Sequence, residues 1–572
     1  MKIHDERNIY RARPLKVTGV KTLAQLTGSE ILAKALKNEG IKNLFFLMGG
    51  PMLLAEESCI KEGIRPIDVR HEQAAAFMGQ AYSRLLNKPS VCMAASGPGV
   101  TNLITGVANA FVDCVPLVAI GGSSPFKTYG QQVFQEIDQL GMMKPCTKWA
   151  ERIYTLSRIP EMVNVAFQKA MAGKPGPVYL DCPGDLLYEK IDEEEIDWSI
   201  SGRALPRARP HASPEIIDET IDALRNAERP VIVTGGGILW SDASSELQEF
   251  VEKTQIPFYT TPQGRGVIPE DHPLSFMTVR SAAFREADLI MIIGTRMNYI
   301  IGHAAPPRFN ADAKIVRIDI DEEEVSTSPR SVDIGIVGDA KAVLSQINQK
   351  LTGLDEKISY DDWIKRLGDE EAAKRTRPGG NAIADSEPIH PLRLCEEVKN
   401  FMDRDAILVV DGQEILNYGR QSMPTFSPGH RLNSGPFGTM GVGLPFGLGA
   451  KIAKPDKQVI VVHGDGSFGL NAMELDTAVR HGINVLVVIS LNGGWTADPD
   501  GTKPGRDLGY TKYHKMAESL GCYAEYIEKP EEIREALERA QANVNEGRVA
   551  VVNIKTDHTA RAGTQNFSQY ST

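Results

Sequence analysis

The run Val462-His463-Gly464-Asp465-Gly466-Ser467-Phe468 closes a β-branched stretch and opens a helical one, and 25 residues separate Gly466 from Asn492. That interval accommodates one helix and one returning strand. Asp465 and Asn492 are therefore expected at the carboxyl ends of strands in one parallel sheet, where open α/β sheets bind ligands. Asp465 offers a carboxylate and Asn492 a side-chain carbonyl. Both are oxygen ligands suited to Mg²⁺, which commonly takes one or two protein groups and fills its other positions from phosphates. Gly464 and Gly466 let the backbone approach closely, and a helix beginning near Ser467 presents free N–H groups to phosphate oxygens. Taken alone, Gly-Asp-Gly-Ser is ordinarily a plain turn between strand and helix. The second oxygen ligand at this spacing favours a diphosphate held through a hard cation.

These groups need a sheet to position them. The 572 residues suggest three or four domains. A hydrophobic share of 42% and a charged share of 24% exclude a mostly disordered or fibrous chain. The net charge of −11 gives no global attraction to nucleic acid or an anionic membrane, so anionic ligands must be held by local positive groups. No run of about 18 apolar residues predicts a membrane span. Residues 1–21 are charged and carry no apolar core of signal-peptide length. Seven cysteines stand singly, without CxxC spacing, which fits buried thiols in a reducing compartment; cytoplasm is the default.

Short β-branched runs predict strands at 43–48, 91–95, 117–120 and 178–181, with helices at 29–39 and 72–85 between them. Thr27 and Glu30 read as a capping box. Residues 192–214 read as a linker. A second unit has predicted strands at 230–234, 289–293 and 315–320, and a second linker is expected over 355–388. A third unit has strands at 407–410, 459–462, 485–490 and 549–554, with a helix at 471–480. The expected division is an extension 1–26, domains 27–191, 205–354 and 389–555, and a tail 556–572 that either frays or closes over a site. Each domain reads as α/β with a doubly wound parallel sheet covered on both faces. No repeat between the domains is evident in the sequence.

The Asp465–Asn492 arrangement resembles the diphosphate-binding motif of thiamine diphosphate (ThDP) enzymes. Arg70-His71-Glu72-Gln73-Ala74-Ala75 matches the context of their catalytic glutamate, where a lone Glu at a helix start would otherwise be a dipole partner. Ala95-Ser96-Gly97-Pro98-Gly99-Val100-Thr101-Asn102 is similar to the acetolactate synthase-like branch. The resemblance implies that Glu72 hydrogen-bonds the cofactor's pyrimidine nitrogen, letting the cofactor's own exocyclic nitrogen take up the thiazolium proton. Met440, in Gly438-Thr439-Met440-Gly441, is implied as the apolar wedge between the cofactor's rings, although a Met in such a stretch is more often plain core. Gly49, Gly50, Ser96, Asn102, Gln413 and Gly438 are implied to join Gly464, Gly466 and Ser467 around the cofactor. The resemblance also implies that Gly494 joins Asp465 and Asn492 at Mg²⁺.

Within that superfamily, Gly294-Thr295-Arg296-Met297-Asn298-Tyr299 and Pro306-Pro307-Arg308-Phe309 resemble the middle domain of 2-hydroxyacyl-CoA lyases and oxalyl-CoA decarboxylases. Arg431-Leu432-Asn433-Ser434-Gly435-Pro436-Phe437 resembles their third domain, and Gly121-Gly122-Ser123-Ser124 and Phe134-Gln135-Glu136 follow the same pattern. In that branch the middle domain carries a nucleotide, so ADP is implied here at Arg152, Arg296, Asp319 and Asp339. Arg265, where the family has Lys, aligns with the loop that meets CoA, and a tail with Arg561 and Phe567 would close that channel. Solvated surface charge is the bland reading of these arginines.

Two departures bear on the substrate. Oxalyl-CoA decarboxylase has Tyr-Glu where this chain has Phe134-Gln135, and Gln135 is implied as a neutral catalytic group that hydrogen-bonds a hydroxyl or carbonyl oxygen. Trp495-Thr496 replaces the family's Ile-Tyr after the metal-binding Asn-Gly-Gly, which points to a small or branched side chain such as that of 2-hydroxyisobutyryl-CoA. The expected activity is reversible cleavage of a 2-hydroxyacyl-CoA to formyl-CoA and an aldehyde or ketone. The expected assembly is a homodimer or homotetramer with Glu72 and Asp465 supplied by different chains. Alternatives are an oxalyl-CoA decarboxylase, an acetolactate synthase-like carboligase, and a nucleotide-binding regulator without catalysis.

Overall fold

Thr27 and Glu30 make the reciprocal bonds their spacing predicts. The Thr27 side chain accepts from the Glu30 N–H, the Glu30 carboxylate accepts from the Thr27 N–H, and the helix Gly28–Asn38 begins there. The computed structural model describes residues 24–203, 208–354, 358–375, 386–496, 498 and 500–562. In it, helices cover three separate parallel sheets.

The first domain contains β1 (Gln25–Thr27), β2 (Asn43–Leu47), β3 (Arg65–Asp68), β4 (Ser90–Ala94), β5 (Leu117–Ser123), β6 (Trp149–Arg152), β7 (Val178–Pro183) and β8 (Lys190–Asp192). β1 and β8 pair antiparallel, and the other six form a parallel sheet in the order β3-β2-β4-β5-β7-β6. The middle domain contains β9 (Pro230–Thr234), β10 (Phe258–Thr260), β11 (Leu289–Ile293), β12 (Lys314–Asp319) and β13 (Ile334–Val337), in the order β10-β9-β11-β12-β13. The third contains β14 (Ile407–Asp411), β15 (Arg431–Leu432), β16 (Val459–Gly464), β17 (Leu486–Leu491), β18 (Tyr523–Ile527) and β19 (Ala550–Lys555), in the order β15-β14-β16-β17-β19-β18. β4, β9, β11, β14 and β17 are buried along their whole length, as strands covered on both faces must be.

The first and third sheets have the same strand order, a duplication invisible in the sequence. Strand order reverses between β2 and β4, between β9 and β11, and between β14 and β16. Each reversal opens a crevice at the carboxyl ends of the strands.

The first and third domains meet through the helices Glu72–Leu86 and Gly443–Ala453. Gly449 permits the contact, since a β-carbon there would stand 2.2 Å from the Met78 carbonyl oxygen. Phe77 and Phe446 pack edge to face beside it, with centroids 5.9 Å apart.

Three expectations are corrected. The stretch 355–388 is not simply a linker, because it contains the helix Asp361–Arg375. Tyr360, Trp363 and Leu367 recur at helical spacing within a polar composition and bury against the middle domain, and the Trp363 indole donates to the Pro230 carbonyl at 3.1 Å. The stretch 192–214 is anchored as well, for Arg209 reaches across to Asp339 at 2.8 Å. The helix expected over 471–480 begins later, at Glu474, and runs to His481, after a separate short helix Asp465–Leu470. Among the described residues, no helix is long and apolar enough to cross a membrane.

Candidate active site

Asp465 follows β16 directly and is almost fully buried. Its carboxylate accepts from the Gly466 N–H at 2.9 Å and the Gly493 N–H at 2.8 Å. Burial pushes its carboxyl up to about 7, against the pull of these backbone donors. Asn492 stands at the end of the neighbouring β17, its side-chain oxygen accepting from the Gly494 N–H at 3.3 Å. Gly494 is required as glycine, for a β-carbon there would stand 2.0 Å from the Arg506 carbonyl oxygen. These groups, with Gln413 and Met440, line a cleft of about 480 Å³ at the β14/β16 reversal.

This arrangement fits a hard cation and a diphosphate. No cationic side chain among the described residues pairs with this buried carboxyl, and a divalent ion would supply its counter-charge. Among the described residues no group of three or more His, Cys, Asp or Glu gathers, here or elsewhere. Asp465, Asn492 and Gly494 line this cleft together and could hold Mg²⁺ through oxygen donors. Ser467 spends its hydroxyl on the fold: it donates to backbone carbonyls of Gly464 and Asp411, at 3.0 and 3.2 Å, and locks the turn. Gly438 adopts φ +72°, and beside Met440 the buried Thr439 hydroxyl has no partner.

In the first domain, Glu72 is the first residue of its helix, with His71 as the cap. It is buried, and its Oε2 accepts from the Asn102 side chain at 2.9 Å. Asn102 thus orients the carboxylate. At the β2/β4 reversal the Gly50 carbonyl accepts from the Ser96 N–H at 3.2 Å, and a β-carbon on Gly49 would stand 2.7 Å from Ala95 Cβ. The Ser96 hydroxyl donates to Gln135 Oε1 at 2.9 Å, which joins Gln135 to this group. Gln135 holds φ +60° against Gly97, where a β-carbon would meet its carbonyl oxygen at 2.5 Å. Gln139, unnoticed in the sequence, fixes the loop: its Oε1 accepts from the Gly97 N–H, and the two hydrogens of its Nε2 are shared among the Gly122 carbonyl, the Tyr179 hydroxyl and Asp181. A single glutamine among polar residues carries no periodic signal that would have marked it.

A second cleft, of about 970 Å³, opens at the β9/β11 reversal in the middle domain. Arg296, Asp319 and Asp339 line it, together with Gly236, Gly237 and Trp240. The triple glycine 235–237 was missed in the sequence, although glycines directly after a strand were the available signal. A β-carbon on Gly237 would stand 2.6 Å from the Gly294 Cα. Burial raises the Asp319 carboxyl to about 6. Asp339 is committed to Arg209 and to capping the helix Ala340–Thr352. Arg296 donates to the Val112 carbonyl, and Lys174 crosses from the first domain to Asp321 and Glu324 at 3.0 and 2.7 Å.

Two predicted ligands do not line this cleft. Arg152 pairs with the fully buried Asp181 at 2.5 Å and lies over the Tyr129 ring, because an enclosed carboxylate requires a cation beside it. Arg265 forms two bonds to Glu270, at 2.6 and 2.5 Å, and donates to the Met423 carbonyl, tying the middle domain to the third. The start of the tail lies at the first cleft: Ala560 lines it and the Ala562 N–H reaches Glu414 at 2.9 Å. Arg561 bonds carbonyls of its own turn. Phe567 lies outside the described residues.

The sequence is similar to known families and proteins along most of its length. Residues 26–142 match the thiamine pyrophosphate enzyme N-terminal TPP binding domain, 217–347 the central domain, and 416–554 the C-terminal TPP binding domain. The chain is 32% identical over 563 residues to a 2-hydroxyacyl-CoA lyase of Arabidopsis thaliana, covering 95% of this chain and 97% of that one. It is 33% identical over 546 residues to an acetolactate synthase large subunit of Mycobacterium tuberculosis, covering 92% and 95%. It is 36% identical over 540 residues to a probable acetolactate synthase large subunit of Methanocaldococcus jannaschii, covering 90% of each.

Proposed function

The chain belongs to the thiamine pyrophosphate enzyme family, and we propose that it is a carbon–carbon lyase cleaving 2-hydroxyacyl-CoA thioesters to formyl-CoA and an aldehyde or ketone, reversibly. The observation that carries this reading is Gln135, a neutral carboxamide tied to Ser96 at the strand ends that hold Glu72. Its Nε2 has no acceptor among the described residues and is available to a hydroxyl or carbonyl oxygen of the substrate. A neutral group there offers no acid for the proton handling that follows loss of a carboxylate. Full-length similarity to a protein named 2-hydroxyacyl-CoA lyase supports the same reading.

Thiamine diphosphate, when bound, supplies the nucleophilic carbon and the electron sink for the cleavage. Asp465, Asn492 and the Gly494 carbonyl would hold Mg²⁺, and Gly464, Gly466 and Ser467 would border the diphosphate. Met440, Gln413 and Gly438 would support the rings from the third domain, and Gly49, Gly50, Ser96 and Asn102 from the first. Glu72 would hold a proton at the pyrimidine nitrogen, its carboxylate aimed by Asn102. The bulk of Trp495 beside Gly466 favours a small or branched acyl side chain. Arg296 and Asp319 would take an adenine nucleotide such as ADP, testable as a rise in melting temperature.

The reading includes a homodimer or homotetramer in which Glu72 of one chain serves Asp465 of another. Met48, Phe134 and Leu470, next to residues of the two half-sites, are 63%, 87% and 54% exposed, as apolar groups awaiting a second copy would be.

The test offers 2-hydroxyisobutyryl-CoA, a straight-chain 2-hydroxyacyl-CoA, oxalyl-CoA and pyruvate to protein loaded with ThDP and Mg²⁺, with products read by mass spectrometry. Formyl-CoA with acetone or an aldehyde is expected. Formyl-CoA from oxalyl-CoA alone makes the protein a decarboxylase. Acetolactate from pyruvate without CoA-ester turnover makes it a carboligase. Nucleotide binding without turnover leaves only the regulator.

A further inference from the structure

Residues 465–477 begin with Asp465 and run through the interruption at Asn471 into the helix Glu474–His481. Asn471 is buried, and its side chain donates to the Gly441 carbonyl at 2.8 Å, one residue from Met440. A β-carbon on Gly441 would stand 2.9 Å from Leu470 Cβ, so the two segments are in close contact. Glu474 is also buried. Its Oε2 accepts from the Thr477 hydroxyl at 2.6 Å, and its Oε1 accepts from the backbone N–H of Arg70 at 3.1 Å. Arg70 lies in the other ThDP-binding domain, two residues before Glu72, in the loop that enters the Glu72 helix. Asp68 pins the same junction through Arg480 at 2.6 Å and His481 at 2.8 Å. A buried carboxylate is unfavourable unless hydrogen-bonded, and this one directs an oxygen to the entry of the helix that carries Glu72. Packing alone would be served by an apolar side chain.

We propose that Glu474 and Asn471 are positioning residues, Glu474 holding the turn that aims Glu72 and Asn471 holding Met440. One short segment then holds both the entry to the Glu72 helix and the stretch that carries Met440. The proposal rests on the reading that Glu72 and Asp465 serve bound thiamine diphosphate. If the sites are shared between chains, the two tethers serve different sites. Asn471 acts in the site of its own Asp465, whereas Glu474 acts on a Glu72 that belongs to the opposite site.

In the cofactor-loaded enzyme, Glu474→Ala is expected to lower kcat about tenfold to a hundredfold with the CoA-ester KM within about twofold, because an ångström of misplacement costs on this order. Glu474→Gln keeps an acceptor for Arg70 and restores most of the rate. Should Glu474→Ala lose its fold, Thr477→Val replaces it, freeing Oε2 at nearly constant shape; kcat then falls several-fold, about what a lost positioning bond removes. Mixed dimers of Glu474→Ala and Asp465→Asn chains keep one unaltered site, since both changes fall in the same one. Asn471→Ala with Asp465→Asn leaves none. Glu72→Gln mixed with Asp465→Asn is the control for shared sites: it regains activity only if the sites are shared. Unchanged kcat in folded Glu474→Ala or Thr477→Val overturns the proposal. So does loss of the surviving site in the Glu474/Asp465 mixture when the control regains activity. If the control stays inactive, the shared-site reading fails, and the kcat–KM split with the Gln rescue still decides the positioning role.

Discussion

Trp495 lies against Gly466 so closely that a β-carbon on the glycine would stand 2.7 Å from the indole. The Trp495 backbone N–H donates to the Arg506 carbonyl at 2.8 Å and Gly494 bridges to Asp507, so the main chain that carries the indole is fixed. Gly466 in the turn after β16 and the bulky Trp495 beyond Asn492 are therefore one steric unit.

Gly466→Ala is expected to displace the indole and weaken ThDP binding by about tenfold to a hundredfold, the equivalent of roughly 1–3 kcal/mol of overpacking. Tryptophan fluorescence during cofactor titration reads both effects, with Trp495→Phe identifying the responsible indole. Unchanged emission and affinity would mean that the contact is not maintained in solution.

Glu72→Gln keeps the shape of the side chain and an acceptor for Asn102. Turnover is expected to fall by about 10²–10⁴, the range for loss of a positioned proton-transfer group. The melting temperature should hold within a few degrees. A variant with wild-type turnover would remove Glu72 from the chemistry.

Glu56 is 3% exposed and neither of its carboxylate oxygens has a partner. Burial, with Glu57 nearby, pushes its carboxyl up to about 8. The folded state keeps this proton where the unfolded chain, with a carboxyl near its usual 4.5, has lost it. Stability therefore declines as pH rises from about 4.5 to about 8, by on the order of a few kcal/mol in all. Glu56→Met should flatten that decline and raise the urea midpoint most at pH above about 8. An equal pH dependence in both proteins would show that Glu56 finds a partner in solution.

Gly449→Ala sets a β-carbon against the Met78 carbonyl, a backbone atom that cannot turn aside. A loss of about 1–3 kcal/mol is expected, with the first and third domains separating more readily under limited proteolysis. A neutral result would require the two helices to slide.

Much of the site was legible because its residues announce themselves over short spans. The turn around Asp465 pairs a strand end with glycines, and Asn492 follows at the length of one helix and one strand. Three α/β domains were equally readable, since strands covered on both faces are continuous apolar runs. The helix Asp361–Arg375 was less so, because Tyr360, Trp363 and Leu367 are few among charges and reveal their spacing only against a partner surface.

Composition and local spacing decided the central strands of each sheet, the turn at Asp465 and the helix that begins at Glu72, since each depends on neighbours within a few dozen residues, whereas the short edge strands went unread. Three things were left to the tertiary structure. It gave Arg152 to Asp181 and Arg265 to Glu270, because a buried carboxylate claims whichever cation the fold brings near it. It brought Gln135 to Ser96 across 39 residues, and Glu474 to Arg70 across 404. It also gave the first and third sheets one strand order. Such pairings depend on how distant segments pack, and no run of residues read along the chain contains that information.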